Sequence, residues 1–101
     1  MAVTQWMTVD VLEKMNSGQL QIIDVREPAE FSSGHIPGAR LIPLGHLETR
    51  YKEIDPAKEA VVVCRSGGRS SVACDFLSRL GYKNIRNLMG GMNAWSGEVA
   101  Y

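Results

Sequence analysis

This chain has no excess of either charge: eleven Lys and Arg balance eleven Asp and Glu across 101 residues. Without a net field, neither nucleic acid nor an anionic membrane is drawn in over distance, and any pull on an anion must come from a local site. No apolar stretch approaches the ~18 residues that span a bilayer. The N-terminal run Met1-Ala2-Val3-Thr4-Gln5-Trp6 lacks the basic region and apolar core of a secretory signal, so a soluble, cytoplasmic protein is expected. Cysteine is scarce. Cys64 and Cys74 are spaced neither as a CxxC redox pair nor as a zinc knuckle, and a reducing compartment leaves both as thiols. The two histidines, His35 and His46, come without a supporting acid cluster, so no metal site is expected. Repeats, low-complexity tracts and linkers are missing too, which predicts one domain over residues 1–101. With 45% hydrophobic residues it is long enough to bury well over half of the surface its unfolded chain exposes.

What is present is an alternation of short apolar runs with helical patterns, the signature of βαβ units and of an α/β fold whose parallel sheet carries helices on its faces. After a short strand near Trp6-Met7, Thr8 is placed to cap a helix with Val11, Leu12 and Met15 inward, ending near Gly18. Leu20 to Val25 reads as a buried strand. Pro28 suits the first turn of a helix through Phe31 that Gly34 stops, and Pro37-Gly38 turns the chain into an extended piece, Ala39 to Ile42. Leu44 to Tyr51 reads as a helix interrupted by Gly45. Glu59 to Val63 is the clearest strand. Ser70 or Ser71 then caps the longest helical pattern, with Val72, Ala73, Phe76, Leu77 and Leu80 on one face and Gly81 as the stop. Asn84 to Leu88 is a last strand, and Gly90-Gly91-Met92-Asn93-Ala94-Trp95 enters a terminal helix.

The chemistry points to Cys64. It follows the apolar run Ala60-Val61-Val62-Val63 and opens Arg65-Ser66-Gly67-Gly68-Arg69-Ser70, which leads into the longest helix. Ligands of open parallel sheets sit at the carboxyl ends of strands, where loop amides and helix N-termini converge. Gly67 and Gly68 permit backbone angles that turn successive N–H groups inward, a nest that stabilises a thiolate or a persulfide. Helix N-termini and nearby arginines lower a cysteine pKa from about 8.5 into a range of roughly 3.5–7.5. Read alone, Cys64 is equally a buried strand-end cysteine. The nest, the two arginines and the helix start turn the reading to a nucleophile.

With these strings in place, the chain resembles the rhodanese family, the single-domain sulfurtransferases. Asp24-Val25-Arg26-Glu27 and Glu30-Phe31-Ser32-Ser33-Gly34-His35-Ile36-Pro37-Gly38-Ala39 are similar to the family's N-terminal motif, Cys64 to Ser70 to its active-site loop, and Gly90 to Trp95 to its closing motif. The resemblance implies a rhodanese-like sheet of about five strands with helices on both faces. It also implies that Cys64 takes a sulfane sulfur from a donor such as thiosulfate, becomes a persulfide, and passes that sulfur to cyanide or a thiol. This is ping-pong covalent catalysis, and it needs no metal or organic cofactor. Ser66, Gly67, Gly68 and Ser70 would line the anion cradle.

Around the loop, three readings stay open for Arg65 and Arg69: direct substrate contact, a solvated surface arginine, or pairing with an acid such as Asp24. Asp24 is expected beneath the loop, accepting from loop amides or from Arg69, in an orienting rather than a catalytic role, with a cap on the next helix as the alternative. Arg26 is expected at the pocket mouth, His35 as a hydrogen-bonded structural residue, and Cys74, Trp95, Met89 and Met92 as packing residues. Rival functions are a persulfide carrier that relays sulfur to a thioredoxin or another protein, a cysteine phosphatase, and a non-enzymatic interaction module. The family comparison disfavours the phosphatase, whose loops place five residues between cysteine and arginine where Arg69 follows Cys64 after four.

Overall fold

A computed structural model describes residues 3–101; Met1 and Ala2, the first residues of the N-terminal stretch read above, lie outside it. Five strands, β1 (Thr4–Trp6), β2 (Gln21–Asp24), β3 (Arg40–Leu41), β4 (Ala60–Val63) and β5 (Ile85–Leu88), form one sheet in the order β1-β5-β4-β2-β3. Every pairing is parallel. The helices are α1 (Thr8–Met15), α2 (Pro28–Ser32), α3 (Leu47–Arg50), α4 (Gly68–Arg79) and α5 (Gly91–Ala94). All five strands therefore deliver their carboxyl ends to one edge. Cys64, Asp24 and the Met89-Gly90-Gly91 turn meet there.

The central strand explains how the core divides. All four residues of β4 are buried, because helices cover both of its faces. Ala60 and Val62 join Ile23, Ile42, Leu47, Ala73 and Leu77 on the α3/α4 side, whereas Val61 and Val63 join Val11, Ile22, Ile36 and Leu88 on the α1/α5 side. Strand alternation carries the first set on to Cys64, which belongs to the same cluster as Ala60 and Val62. Its side chain thus points toward α4.

Several local expectations shift. Met7, not Thr8, is the N-cap of α1: its amide donates to Asp10 Oδ2 at 2.8 Å, and the Thr8 hydroxyl donates to the Ala94 carbonyl at 2.9 Å. Leu12 is exposed, since Val11 takes the inward position. The Leu44–Tyr51 helix breaks into a 3-10 turn at Leu44–His46, a single turn of α3 and a second 3-10 turn at Tyr51–Glu53. Pro43 and Gly45 flanking Leu44 favour that tighter start.

The largest correction concerns α4. It begins at Gly68, with Gly67 as an N-cap in the left-handed region at φ +105°, so Ser70 and Ser71 sit inside the first turn instead of capping it. Their hydroxyls donate to the Gly67 carbonyl at 3.1 and 2.7 Å. The buried face is Ser70, Ala73, Cys74 and Leu77, while Val72 and Leu80 are exposed. Met89, expected in the core, is 50% exposed just past β5.

Candidate active site

A helix leaves its first amides without partners, and a capping side chain ordinarily takes one of them. Glycine at the cap of α4 offers no such side chain, so the free amides are available to Cys64. The Gly67 N–H donates to Cys64 Sγ at 3.0 Å. Ser70 Oγ lies 3.4 Å from the same sulfur. Burial pushes the Cys64 thiol up, but the Ser70 hydroxyl and the amides of Ser70, Gly67 and Ser66 outweigh it, and the thiol ionises below the ordinary cysteine value. The residue is only 1% exposed, which keeps those dipoles unscreened by water.

The serine is itself held by Asn87. Asn87, buried on β5, accepts from the Ser70 hydroxyl through Oδ1 and donates from Nδ2 to Gln5 Oε1 at 2.8 Å and to Ser71 Oγ at 3.1 Å. Asn87 went unremarked in the sequence; the available signal was a polar residue two places from the inward Ile85 of a buried strand. Gly91, part of the closing motif read in the sequence, braces the loop from behind. A Cβ there would fall 2.4 Å from the Cys64 carbonyl oxygen and 2.6 Å from Arg65. That close approach lets Met92 N–H donate to the Cys64 carbonyl at 2.8 Å and Asn93 N–H to the Arg65 carbonyl at 2.9 Å. The start of α5 thereby holds the back of the loop while the start of α4 holds its sulfur.

Asp24 lies elsewhere than expected. It is 1% exposed and forms an ion pair with Arg26 at 2.8 Å, accepting also from the Arg26 amide at 3.0 Å and from its Nε at 2.9 Å. Arg26 Nη2 continues to the Gly34 carbonyl at 2.8 Å. Asp24 therefore fastens the start of the α2 segment and accepts nothing from the loop. A buried carboxylate needs its charge matched at short range, and the arginine two residues away does so first. Arg26, 6% exposed, lines a shallow pocket of about 300 Å³ with Ala29, Glu30, Ser33, Gly34 and Arg65, a pocket that Cys64 itself does not line.

The acid that meets the loop arginines is Glu30 on α2. Arg69 forms a two-pronged pair with it, Nη1 to Oε1 at 2.7 Å and Nη2 to Oε2 at 2.8 Å, and Arg65 adds Nε to Oε2 at 3.2 Å. Glu30 Oε1 also accepts the Glu27 amide at 3.0 Å. The Arg69 hydrogen bonds and the Glu27 amide hold its carboxyl at about 2. Of the remaining residues, His35 Nδ1 lies 2.8 Å from the Phe31 carbonyl and its ring stacks on Phe31, as a structural histidine would. Cys74 is fully buried with its thiol pushed up to about 12 by burial and by the nearby Cys64. Trp95 packs against the α1/α5 core and donates from Nε1 to the Glu98 carbonyl at 2.9 Å.

A parallel α/β sheet with a cysteine seated on the amides of a following helix defines a class of cysteine-loop domain, and the comparisons place the chain within it. Residues 7–98 match the rhodanese-like domain, and the chain belongs to that family. A Bacillus subtilis relative named "Putative sulfurtransferase YtwF" is 39% identical over 100 residues, covering 98% of this chain and 96% of its own. The same organism's "Putative sulfur carrier protein YrkF" is 39% identical over 88 residues, covering 86% of this chain, which spans 48% of that relative's length. Among solved structures, a rhodanese-related protein from Thermoplasma volcanium superposes with a TM-score of 0.89 at 32% identity, over 96% of this chain and 97% of that one. Among the described residues, no helix is long and apolar enough to cross a membrane.

Proposed function

We propose that this chain is a sulfurtransferase that carries a sulfane sulfur on Cys64. The thiolate attacks the outer sulfur of a donor, a Cys64 Sγ–S bond forms, the donor's S–S bond breaks, and the leaving group departs with the electron pair: sulfite from thiosulfate, a thiolate from a persulfide. A second nucleophile, cyanide or a thiol, then removes the outer sulfur and restores the thiolate. The observation that carries this reading is the 3.0 Å hydrogen bond from the Gly67 amide to Cys64 Sγ at the start of α4. The same amides would serve the terminal sulfur anion of the persulfide. Burial of Cys64 suits a narrow terminal atom as the reacting group and keeps the thiolate from bulk water.

A persulfide carrier uses the same chemistry with a protein, such as a thioredoxin, as acceptor. The relationship to a relative named as a sulfur carrier favours keeping that reading beside the first. Intact mass after incubation with thiosulfate tests both. One added sulfur is expected, removed by cyanide, absent in Cys64→Ser and retained in Cys74→Ser. Sulfur loading that persists in Cys64→Ser would contradict the assignment.

A further inference from the structure

Two cations and one carboxylate meet at the mouth of the Cys64 loop. Glu30 spends both oxygens on Arg69 and one of them on Arg65, at 2.7 to 3.2 Å. It does not swing freely, because Oε1 is also tied to the Glu27 amide at 3.0 Å and the side chain is only 16% exposed. The sum over the three side chains is two positive charges less one negative, a net +1. Arg69 lies within electrostatic reach of the thiolate, and Glu30 fills its fork. A dianion that approaches Arg69 meets an ionised carboxylate already in place, and it must share the guanidinium or displace that carboxylate.

We propose that Glu30 is a specificity-determining residue that turns this site from dianionic thiosulfate toward sulfane-sulfur donors of lower charge, persulfides of small thiols, by neutralising one loop arginine. The inference rests on the Cys64 reading above. In the favoured step the Cys64 thiolate attacks the outer sulfur of R–S–SH, the Cys64 Sγ–S bond forms, the donor's S–S bond breaks with its electron pair leaving on R–S⁻, and the proton of the outer sulfur passes to water, which leaves the terminal sulfur anion in the amide cradle. The outer sulfur of such a donor finds the amide cradle, and its low charge leaves the Glu30–Arg69 pair undisturbed. Glu30 stays ionised throughout the range in which the reaction can be assayed, so its own charge does not change with pH there.

The test measures second-order loading rates by rapid mixing and intact mass, with thiosulfate and with freshly made cysteine persulfide as the two donors. In Glu30→Gln the thiosulfate-to-persulfide rate ratio is expected to rise on the order of threefold to tenfold, the effect of removing one charge several ångströms from a dianion in a wet site. A ratio that is unchanged or lower in the folded variant overturns the proposal. Should Glu30→Gln fail to fold, Glu30→Ser removes the same charge with a smaller side chain, and the ratio is expected to rise there too. An unchanged ratio there overturns it equally. Wild-type protein that accepts sulfur from neither donor would instead remove the Cys64 reading itself, which keeps the two failures apart.

Discussion

Cys64 and Cys74 have the same side chain, lie ten positions apart and are both buried, yet their thiols move in opposite directions. Burial raises both. What separates them is the supply of donors: Cys64 meets the Ser70 hydroxyl and three amides, whereas the Cys74 sulfur has only the Arg86 carbonyl at 3.7 Å, which accepts and does not donate. A resolving role for Cys74 therefore has no physical support. Ser70 stands at the centre of this difference. Its single proton has three acceptors in range, Cys64 Sγ, the Gly67 carbonyl and Asn87 Oδ1, so the hydroxyl's direction and the charge on sulfur are coupled.

At the scale of elements, the loop is held by two helix starts. Gly67 at φ +105° and Gly91 at φ +57° both use backbone angles that L side chains rarely adopt, but only Gly91 also lacks room for a Cβ. Gly91→Ala is expected to cost about 2–4 kcal/mol, combining left-handed strain with a clash against the Cys64 and Arg65 backbone. A denaturant titration checks it, and a change below about 1 kcal/mol would show that α5 does not brace the loop. Much of this was legible in order along the chain. The apolar run of β4, the glycine loop and the Pro28 helix start each announce themselves within a few residues, because strand burial, turn geometry and capping are local. The face of α4 was misjudged for a physical reason: its inward positions include Ser70 and Cys74, polar or small groups recruited by the site and the core, while Val72 and Leu80 lie outside. The Glu30 pairing was illegible because it joins α2 to residues 35 and 39 positions later, and only the sheet order brings them together.

For the whole molecule, two carboxylates tie segments together and contribute to the response to acid. Glu30 joins α2 to the Cys64 loop. Glu53 joins Arg50, at 2.7 Å, to Arg40 on the edge strand, at 3.0 Å. Their arginine hydrogen bonds hold both at about 2, against an ordinary 4.5. Because the folded value is the lower one, each contribution is fully present above about 4.5 and is lost as pH falls toward 2. Thermal midpoints measured across that window are expected to drop steeply in the wild type and to flatten in a Glu30→Gln, Glu53→Gln double variant. Equal slopes would assign the acid sensitivity to other groups.

The account rests on an ionised Cys64. Its most direct test is the ultraviolet thiolate absorbance of the folded protein followed against pH, in wild type and in Ser70→Ala. Because Cys74 stays protonated until about 12, one thiol titrates in the accessible range. The expected result is a single step below the value of free cysteine, moved upward in Ser70→Ala and missing in Cys64→Ser. A wild-type step at or above the free-cysteine value would contradict the account.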